Sequence, residues 1–284
     1  MGGIVYLNGH FLPEEQARVS VMDRGYLFGD GVYEVVPVLH GAMVDVVPFR
    51  ERFARSLEAL SLPRPMEQSA CENMLQTLIQ KNHLQEGGVY LQVTRGVAPR
   101  AFEFPQSVKP TCMAFAFEKN ILDSVHAREG VRVVTVEDIR WKRRDIKSIA
   151  LLGQCLAKED AVRRDAYEGW MVEEGYVTEG TASSAYIIKD GVLITRPLSN
   201  TILPGIRRRL ILEIAPRHGI PVEQRPFTPD EAYAADEAFL SSATTLIYPV
   251  VDIDGHLIRD GRPGPMTRQL RQLYLNTIIG NTNA

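Results

Sequence analysis

The chain holds 284 residues, 45% hydrophobic and 24% charged, with 32 Lys plus Arg against 35 Asp plus Glu for a net charge of −3. That length suits one large domain or two of about 120–160 residues, and the balanced charge leaves no basic footprint for nucleic acid. No apolar run approaches the ~18–20 residues of a membrane span, and residues 1–6 carry neither a basic n-region nor an apolar h-region, so no membrane association is expected. Cys71, Cys112 and Cys155 are odd in number and lack a CxxC pair, which suits buried thiols in a reducing cytoplasm and not a disulfide framework or a metal site. Only seven of the basic residues are lysines: Lys81, Lys109, Lys119, Lys142, Lys147, Lys158 and Lys189.

In chain order, apolar segments at 5–7 and 10–12 flank Asn8-Gly9, a strong hairpin signal, and segments at 35–39 and 42–47 flank His40-Gly41. Pro48 then starts a helix whose apolar stripe is Phe49, Phe53, Leu57 and Leu60. A second helix is expected over 67–82, followed by strands at 89–94 and 111–117. This pattern predicts an α+β domain over 1–118. Residues 119–128 are broken and polar and read as a linker to a second domain over 129–284. There a strand at 131–136 precedes a helix over 148–164, with Leu151, Leu152, Cys155, Leu156 and Val162 on one side. Segments at 186–188 and 192–195 pair around Asp190-Gly191, Gly205 precedes a helix over 207–216, and a strand at 238–241 runs into a Ser/Thr loop. There is no G-x-G-x-x-G or Walker A loop and no βαβ alternation of a doubly wound sheet.

Six of the lysines read as solvated. Lys147 differs, because it lies between a strand-linked segment and a helix start, with Arg140, Arg143 and Arg144 just upstream. Neighbouring cations and desolvation favour the neutral amine that forms a Schiff base; the alternative is a surface lysine beside a helix. Anion-binding elements form a second theme. Leu203-Pro204-Gly205-Ile206-Arg207 opens a helix whose free N–H groups suit a phosphate. Ser241-Ser242-Ala243-Thr244-Thr245 supplies further donors, and Arg52 lies beside the buried stripe. Taken singly, such elements are more often plain caps. Glu179, in Thr178-Glu179-Gly180, is either a turn glutamate or a carboxylate facing a pyridine nitrogen, as pyridoxal phosphate chemistry requires.

Taken together, the chain resembles the fold type IV pyridoxal-phosphate enzymes, and most closely the D-amino-acid aminotransferase family. The matching stretches are Tyr6-Leu7-Asn8-Gly9, Asp23-Arg24-Gly25-Tyr26-Leu27-Phe28-Gly29-Asp30-Gly31-Val32-Tyr33-Glu34, Gln92-Val93-Thr94-Arg95-Gly96, residues 137–147, Thr178-Glu179-Gly180 and residues 253–261. The resemblance implies an α+β fold of two α/β domains with pyridoxal 5′-phosphate in the cleft between them, in a cytoplasmic homodimer. It implies a transaminase that moves the amino group of a D-amino acid to a 2-oxo acid by a ping-pong route. Lys147 would form the Schiff base and carry the proton between substrate α-carbon and cofactor C4′. Glu179 would pair with the ring nitrogen, Leu203 would pack on one ring face, and Arg52, the N–H groups of Ile206 and Arg207 after Gly205, and the loop of Ser242, Ala243 and Thr244 would hold the phosphate. Tyr33, with Arg100 of the partner subunit, would receive the substrate carboxylate.

Three positions depart from the family pattern. Phe102 stands where a carboxylate-binding histidine is usual, and loss of one charge-assisted bond costs about 1.5–3 kcal/mol. Arg207 stands where a phosphate-binding threonine is usual, either adding a cation or pointing outward, and Ala182 and Ala243 replace hydroxyl residues. The departure at Phe102 leaves open a transaminase with a relaxed carboxylate requirement that accepts (R)-amines. A branched-chain L-amino-acid transaminase, an aminodeoxychorismate lyase and a cofactor-binding protein without turnover are the other readings.

Overall fold

The computed structural model describes residues 3–282, with side chains to 280; Met1 and Gly2, which enter the reading of the N-terminus, lie outside it. By packing, the chain divides into two compact units. One is Met1–Asn120 with Ile146–Leu151, and the other is Ile121–Asp145 with Leu152–Ala284.

The first unit begins with β1 (Ile4–Leu7) and β2 (His10–Pro13), then α1 (Arg24–Phe28), β3 (Gly31–Leu39), β4 (Ala42–Met43), α2 (Val46–Ala59), α3 (Gln68–Lys81), β5 (Glu86–Thr94) and β6 (Thr111–Glu118). The sheet runs β2-β1-β6-β5-β3-β4. Asn8 and Gly9 both take positive φ, 48° and 100°, as a two-residue turn between right-twisted strands needs. The expected stripe is realised: α2 buries Phe49, Arg52, Phe53, Ser56 and Leu57. Its start differs from expectation, since the helix begins at Val46 behind Asp45 and not at Pro48, and β4 is correspondingly short. Proline is tolerated there because first-turn N–H groups have no partner within the helix.

The second unit comprises α4 (Val125–Glu129), β7 (Val131–Glu137), α5 (Leu152–Arg163), β8 (Glu168–Glu173), β9 (Tyr176–Gly180), β10 (Ser184–Lys189), β11 (Val192–Thr195), α6 (Ile206–Arg217), β12 (Val222–Gln224), α7 (Pro229–Tyr233), β13 (Glu237–Ser242), β14 (Leu246–Ile253), β15 (His256–Leu257) and α8 (Pro265–Thr282). Its sheet runs β12-β11-β10-β13-β14-β7-β8-β9, with β15 on β14. Val133, Trp170, Ile187, Leu240 and Tyr248 lie in one buried cluster.

Three sequence expectations change here. Part of 119–128 is not a free linker: Ser124 and α4 belong to the second unit, and the Tyr248 hydroxyl donates to Ser124 Oγ at 2.7 Å. The lysine segment packs with the first unit, because the backbone of 146–151 runs beside the start of β3. Most of the apolar side expected for the helix over 148–164 is exposed: α5 begins only at Leu152, buries Ala157 and Ala161, and leaves Leu152 73% accessible, with Leu151 half-buried ahead of it. Small residues let that helix approach β7 and β8 closely; a Cβ on Gly169 of β8 would stand 3.2 Å from the Ala157 carbonyl.

Candidate active site

In the first unit, the lysine segment is held as an added edge to β3. The Tyr33 N–H donates to the Lys147 carbonyl at 3.0 Å, the Ile149 N–H donates to the Gly31 carbonyl at 3.1 Å, and Val32 and Ser148 form an isolated bridge. Gly29 and Gly31 make the approach possible, since a Cβ on Gly31 would stand 2.9 Å from Ile149 Cδ1 and 2.6 Å from the Val93 carbonyl. Lys147 Nζ therefore lies 4.3 Å from the centre of the Tyr33 ring, so the sequence-derived pair is brought together. Lys147 does not sit at a helix start, as expected, but five residues ahead of α5.

Alternation along β3 sends Val32, Glu34 and Val36 inward and leaves Tyr33 and Val35 half-buried on the other face. Glu34 was missed in the sequence, although a lone charge among inward apolar positions calls for a partner. That partner is Arg52 of α2, whose Nε and Nη2 donate to Glu34 Oε1 and Oε2 at 2.8 and 2.6 Å. A bidentate carboxylate fixes the guanidinium plane, so Arg52 is an oriented cation inside this unit.

Arg100 and Phe102 lie on a loop tied to α1. Arg24 Nη1 donates to the Ala101 carbonyl at 2.6 Å, while its Nε donates to Asp30 Oδ2 at 2.7 Å. The Arg100 guanidinium lies 5.6 Å from the Phe28 ring centre and 5.7 Å from that of Phe102. These contacts do not involve Tyr33 or Lys147, and Phe102 is 79% accessible.

In the second unit, Glu179 sits near the end of strand β9, not in a free turn, and is buried. Arg140 Nη1 donates to its Oε1 at 2.6 Å, and the Leu203 N–H is shared between Oε1 and Oε2 at 3.1 Å each. Burial pushes the Glu179 carboxyl above its ordinary range, against the charge and hydrogen bond of Arg140. The same arginine binds Asp138 through Nε and Nη2, at 2.9 and 2.7 Å. Burial also penalises the Asp138 anion, but hydrogen bonds from Arg140 and Thr178 and the Arg140 and Arg144 charges outweigh it and hold that carboxyl below its ordinary value. Arg143 pairs with Asp145, and Arg144 with Glu173 and Asp138. All three arginines expected to bear on the Lys147 amine are thus engaged by carboxylates.

Beyond β9, Glu168 accepts from Thr181 Oγ1, the Ala182 N–H and Ser183 Oγ at 3.0, 2.7 and 2.5 Å, which ties down the segment following Glu179. Ala182, without a hydroxyl, contributes its N–H there. Gly205 is the N-cap of α6 and offers no side chain to the first-turn N–H groups, which include those of Ile206 and Arg207. The Arg207 side chain is buried. Ser242 closes a tight turn onto Leu246, its N–H bonded to Thr245 Oγ1 at 3.1 Å, with Ala243 and Thr244 at the tip.

The hydrogen-bonded network of Asp138, Arg140, Arg144, Glu173 and Glu179 sets two guanidinium groups against three carboxylates. It is left one negative charge in excess, the complement of a protonated pyridine nitrogen. These residues therefore fit a pyridoxal phosphate ring, as the amine of Lys147 fits its aldehyde.

The model of the amino-transferase class IV family matches residues 31–253. The chain belongs to the class IV aminotransferases. These enzymes use pyridoxal 5′-phosphate, and their fold type IV is that of the two α+β units described above. The chain is 43% identical to a D-alanine aminotransferase of Staphylococcus haemolyticus over 94% of its own length and 95% of the relative's. It is 35% identical to a D-alanine aminotransferase of Bacillus licheniformis over 98% of each chain. A T.th. branched-chain amino acid aminotransferase solved with pyridoxamine 5′-phosphate superposes with a TM-score of 0.92 at 26% identity, covering 99% of this chain and 95% of the other.

Proposed function

We propose that this aminotransferase is a cytoplasmic homodimer that transfers the amino group of a D-amino acid to a 2-oxo acid. The observation that carries the reading is the Lys147 amine lying 4.3 Å from the Tyr33 ring, with the two residues joined through their backbones. Bound there, pyridoxal phosphate supplies the electron sink for breaking the substrate Cα–H bond. Lys147 is the covalent anchor and then the base that moves the proton from the substrate α-carbon. Glu179 holds the ring nitrogen protonated, and Leu203, whose N–H is tied to Glu179, sets a side chain against the ring. Arg52, oriented by Glu34, the N–H groups of Ile206 and Arg207 at the Gly205 cap, and the Ser242, Ala243 and Thr244 turn hold the phosphate.

Tyr33, with Arg100 of the partner subunit, receives the substrate carboxylate. A second copy is supported by the apolar groups that one chain leaves in solvent, Tyr26 at 78% and Leu152 at 73% accessible among them. The D-alanine aminotransferase relatives support the choice of D-substrates over the branched-chain L-amino-acid reading. The free thiols of Cys71, Cys112 and Cys155 suit a reducing compartment, and no helix of the described residues is long and apolar enough to cross a membrane.

Replacement Lys147→Ala is expected to abolish multiple-turnover transamination, and normal turnover by that variant would overturn the reading. Mixing the enzyme separately with D-alanine, D-glutamate, L-leucine, L-glutamate and an (R)-arylalkylamine reads its selectivity. D-amino acids should convert the cofactor to its aminated form fastest; reaction restricted to L-substrates would refute the D-assignment. Conversion by the amine would show that Phe102, which carries no donor, relaxes the demand for a carboxylate.

A further inference from the structure

The stretch 138–140 leaves β7 with a carboxylate, an apolar residue and a guanidinium, and the fold bends it back on itself. The Asp138 N–H donates to the Val172 carbonyl at 2.9 Å, which keeps Asp138 beside β8. Arg140 then folds over Asp138, its Nε and Nη2 on the two oxygens of one carboxylate, and extends Nη1 to Glu179 Oε1 at 2.6 Å. All three side chains are buried: 5% of the Arg140 side chain is accessible, 0% of Asp138 and 6% of Glu179. Asp138 is itself held by Thr178 Oγ1 at 2.6 Å and Arg144 Nη1 at 3.2 Å. A Cβ added at Gly153 of α5 would stand 3.2 Å from Arg140 Cγ, so the stem of Arg140 is enclosed as well.

This geometry distinguishes the two oxygens of Glu179. Oε1 takes the cation and a share of the Leu203 N–H; Oε2 takes only the other share among the hydrogen bonds seen here. Other ionisable groups bear on Glu179 from different elements: Arg208 from α6, Tyr186 from β10 and Asp138 from the segment after β7. Arg208 Nη2 is bonded to the Arg196 carbonyl and Gln224 Oε1 at 2.8 and 2.9 Å, which leaves Arg140 as the cation in contact with the carboxylate. A buried carboxylate tends to take up a proton, and a protonated Glu179 has no charge with which to hold a pyridinium.

We propose that Arg140, anchored by Asp138, is a positioning residue that keeps Glu179 anionic and turns its Oε2 toward the cofactor ring nitrogen. It acts through Glu179 and touches neither substrate nor cofactor. The inference rests on the reading of Glu179 as the ring-nitrogen partner.

The test uses holoenzyme reconstituted with pyridoxal phosphate labelled with 15N in the ring, whose nitrogen resonance reports protonation directly. In the parent enzyme the nitrogen should remain protonated across neutral pH. In Arg140→Met it should lose its proton within that range, with kcat lower by about tenfold or more while KM for the amino donor changes little. Arg140→Lys, which restores a cation without the fork, should recover part of both. A ring nitrogen in Arg140→Met that titrates like the parent's, while Glu179→Gln shifts it, overturns the inference and leaves the role of Glu179 standing. No shift in Glu179→Gln removes the role of Glu179 itself. Circular dichroism checks that Arg140→Met folds. If it does not, Asp138→Asn, which keeps Arg140 and loosens its anchor, should give a smaller shift in the same direction, and no shift overturns the proposal.

Discussion

At the scale of single residues, the site is built from buried charges whose partners lie far away in sequence. Arg52 was visible as a guanidinium on the core side of a helix, whereas its partner was not, because pairing between a strand and a helix leaves no local spacing to read. The Glu34–Arg52 pair is almost without solvent, with 0% and 9% of the side chains accessible. Removing one member leaves an uncompensated charge, so Glu34→Ala should destabilise the protein by about 3–5 kcal/mol, measured as a lower urea midpoint. Replacing both, Glu34→Leu with Arg52→Met, should recover most of that stability. Affinity for pyridoxal phosphate should stay low, because an oriented cation is then missing. A double variant as unstable as the single one would show that the pair matters for packing alone. The seven lysines illustrate what sequence does carry: scarcity made Lys147 stand out, but its closeness to Tyr33 depends on a strand pairing that chain order does not reveal.

Elements were legible where hydrophobic spacing reports burial within the same chain, and illegible where it does not. The spacing of Phe49, Phe53 and Leu57 marked the inner face of α2. The same reasoning misled at α5, whose Leu152 and Leu156 are exposed while Ala157 and Ala161 are buried. Strands β8 and β9 carry a weaker sequence signal, although Glu174-Gly175 between them takes positive φ at both residues, 53° and 80°, as Asn8-Gly9 does. The buried Leu270, Tyr274 and Ile278 of α8, each four residues from the last, carry the same helical spacing in the sequence. Glycines at the start of β3 carry a prediction at this scale. Gly31→Ala adds a methyl group against the Val93 carbonyl and Ile149 Cδ1, and neither the strand backbone nor the segment beside it yields easily. The expected outcome is a folded protein with weakened pyridoxal phosphate binding, read by equilibrium dialysis, and a lower kcat, because the hydrogen bond between Tyr33 and Lys147 is displaced.

At the scale of the whole molecule, the proposed division of labour between subunits can be tested by mixing. If Arg100 serves the site of the partner subunit, Lys147→Ala and Arg100→Ala homodimers are each defective. A reassorted mixed dimer then has one site with both residues intact and one with neither. Statistical exchange of equal amounts should restore about a quarter of the parent turnover; no recovery after verified subunit exchange would assign Arg100 to its own subunit or to neither. The exposed Phe102 beside Arg100 belongs to this scale as well, since its neighbours in the single chain, Phe28 and Arg100, account for only part of its surface.

The path of the backbone has its own consequence for how the protein is made. The chain leaves the first unit after Asn120, returns to it for Ile146–Leu151 and departs again. The unit synthesised first therefore cannot be completed until part of the second has been made, since the opening residues of β3 gain their edge partner only after about thirty further residues have emerged. A nascent chain stalled near residue 120 presents Gly31, Val32 and Tyr33 without that neighbour, an open strand edge available to any other chain in reach. Emergence and docking of the lysine segment is thus also the step that closes this edge, so placement of the reactive amine and protection from aggregation coincide in time.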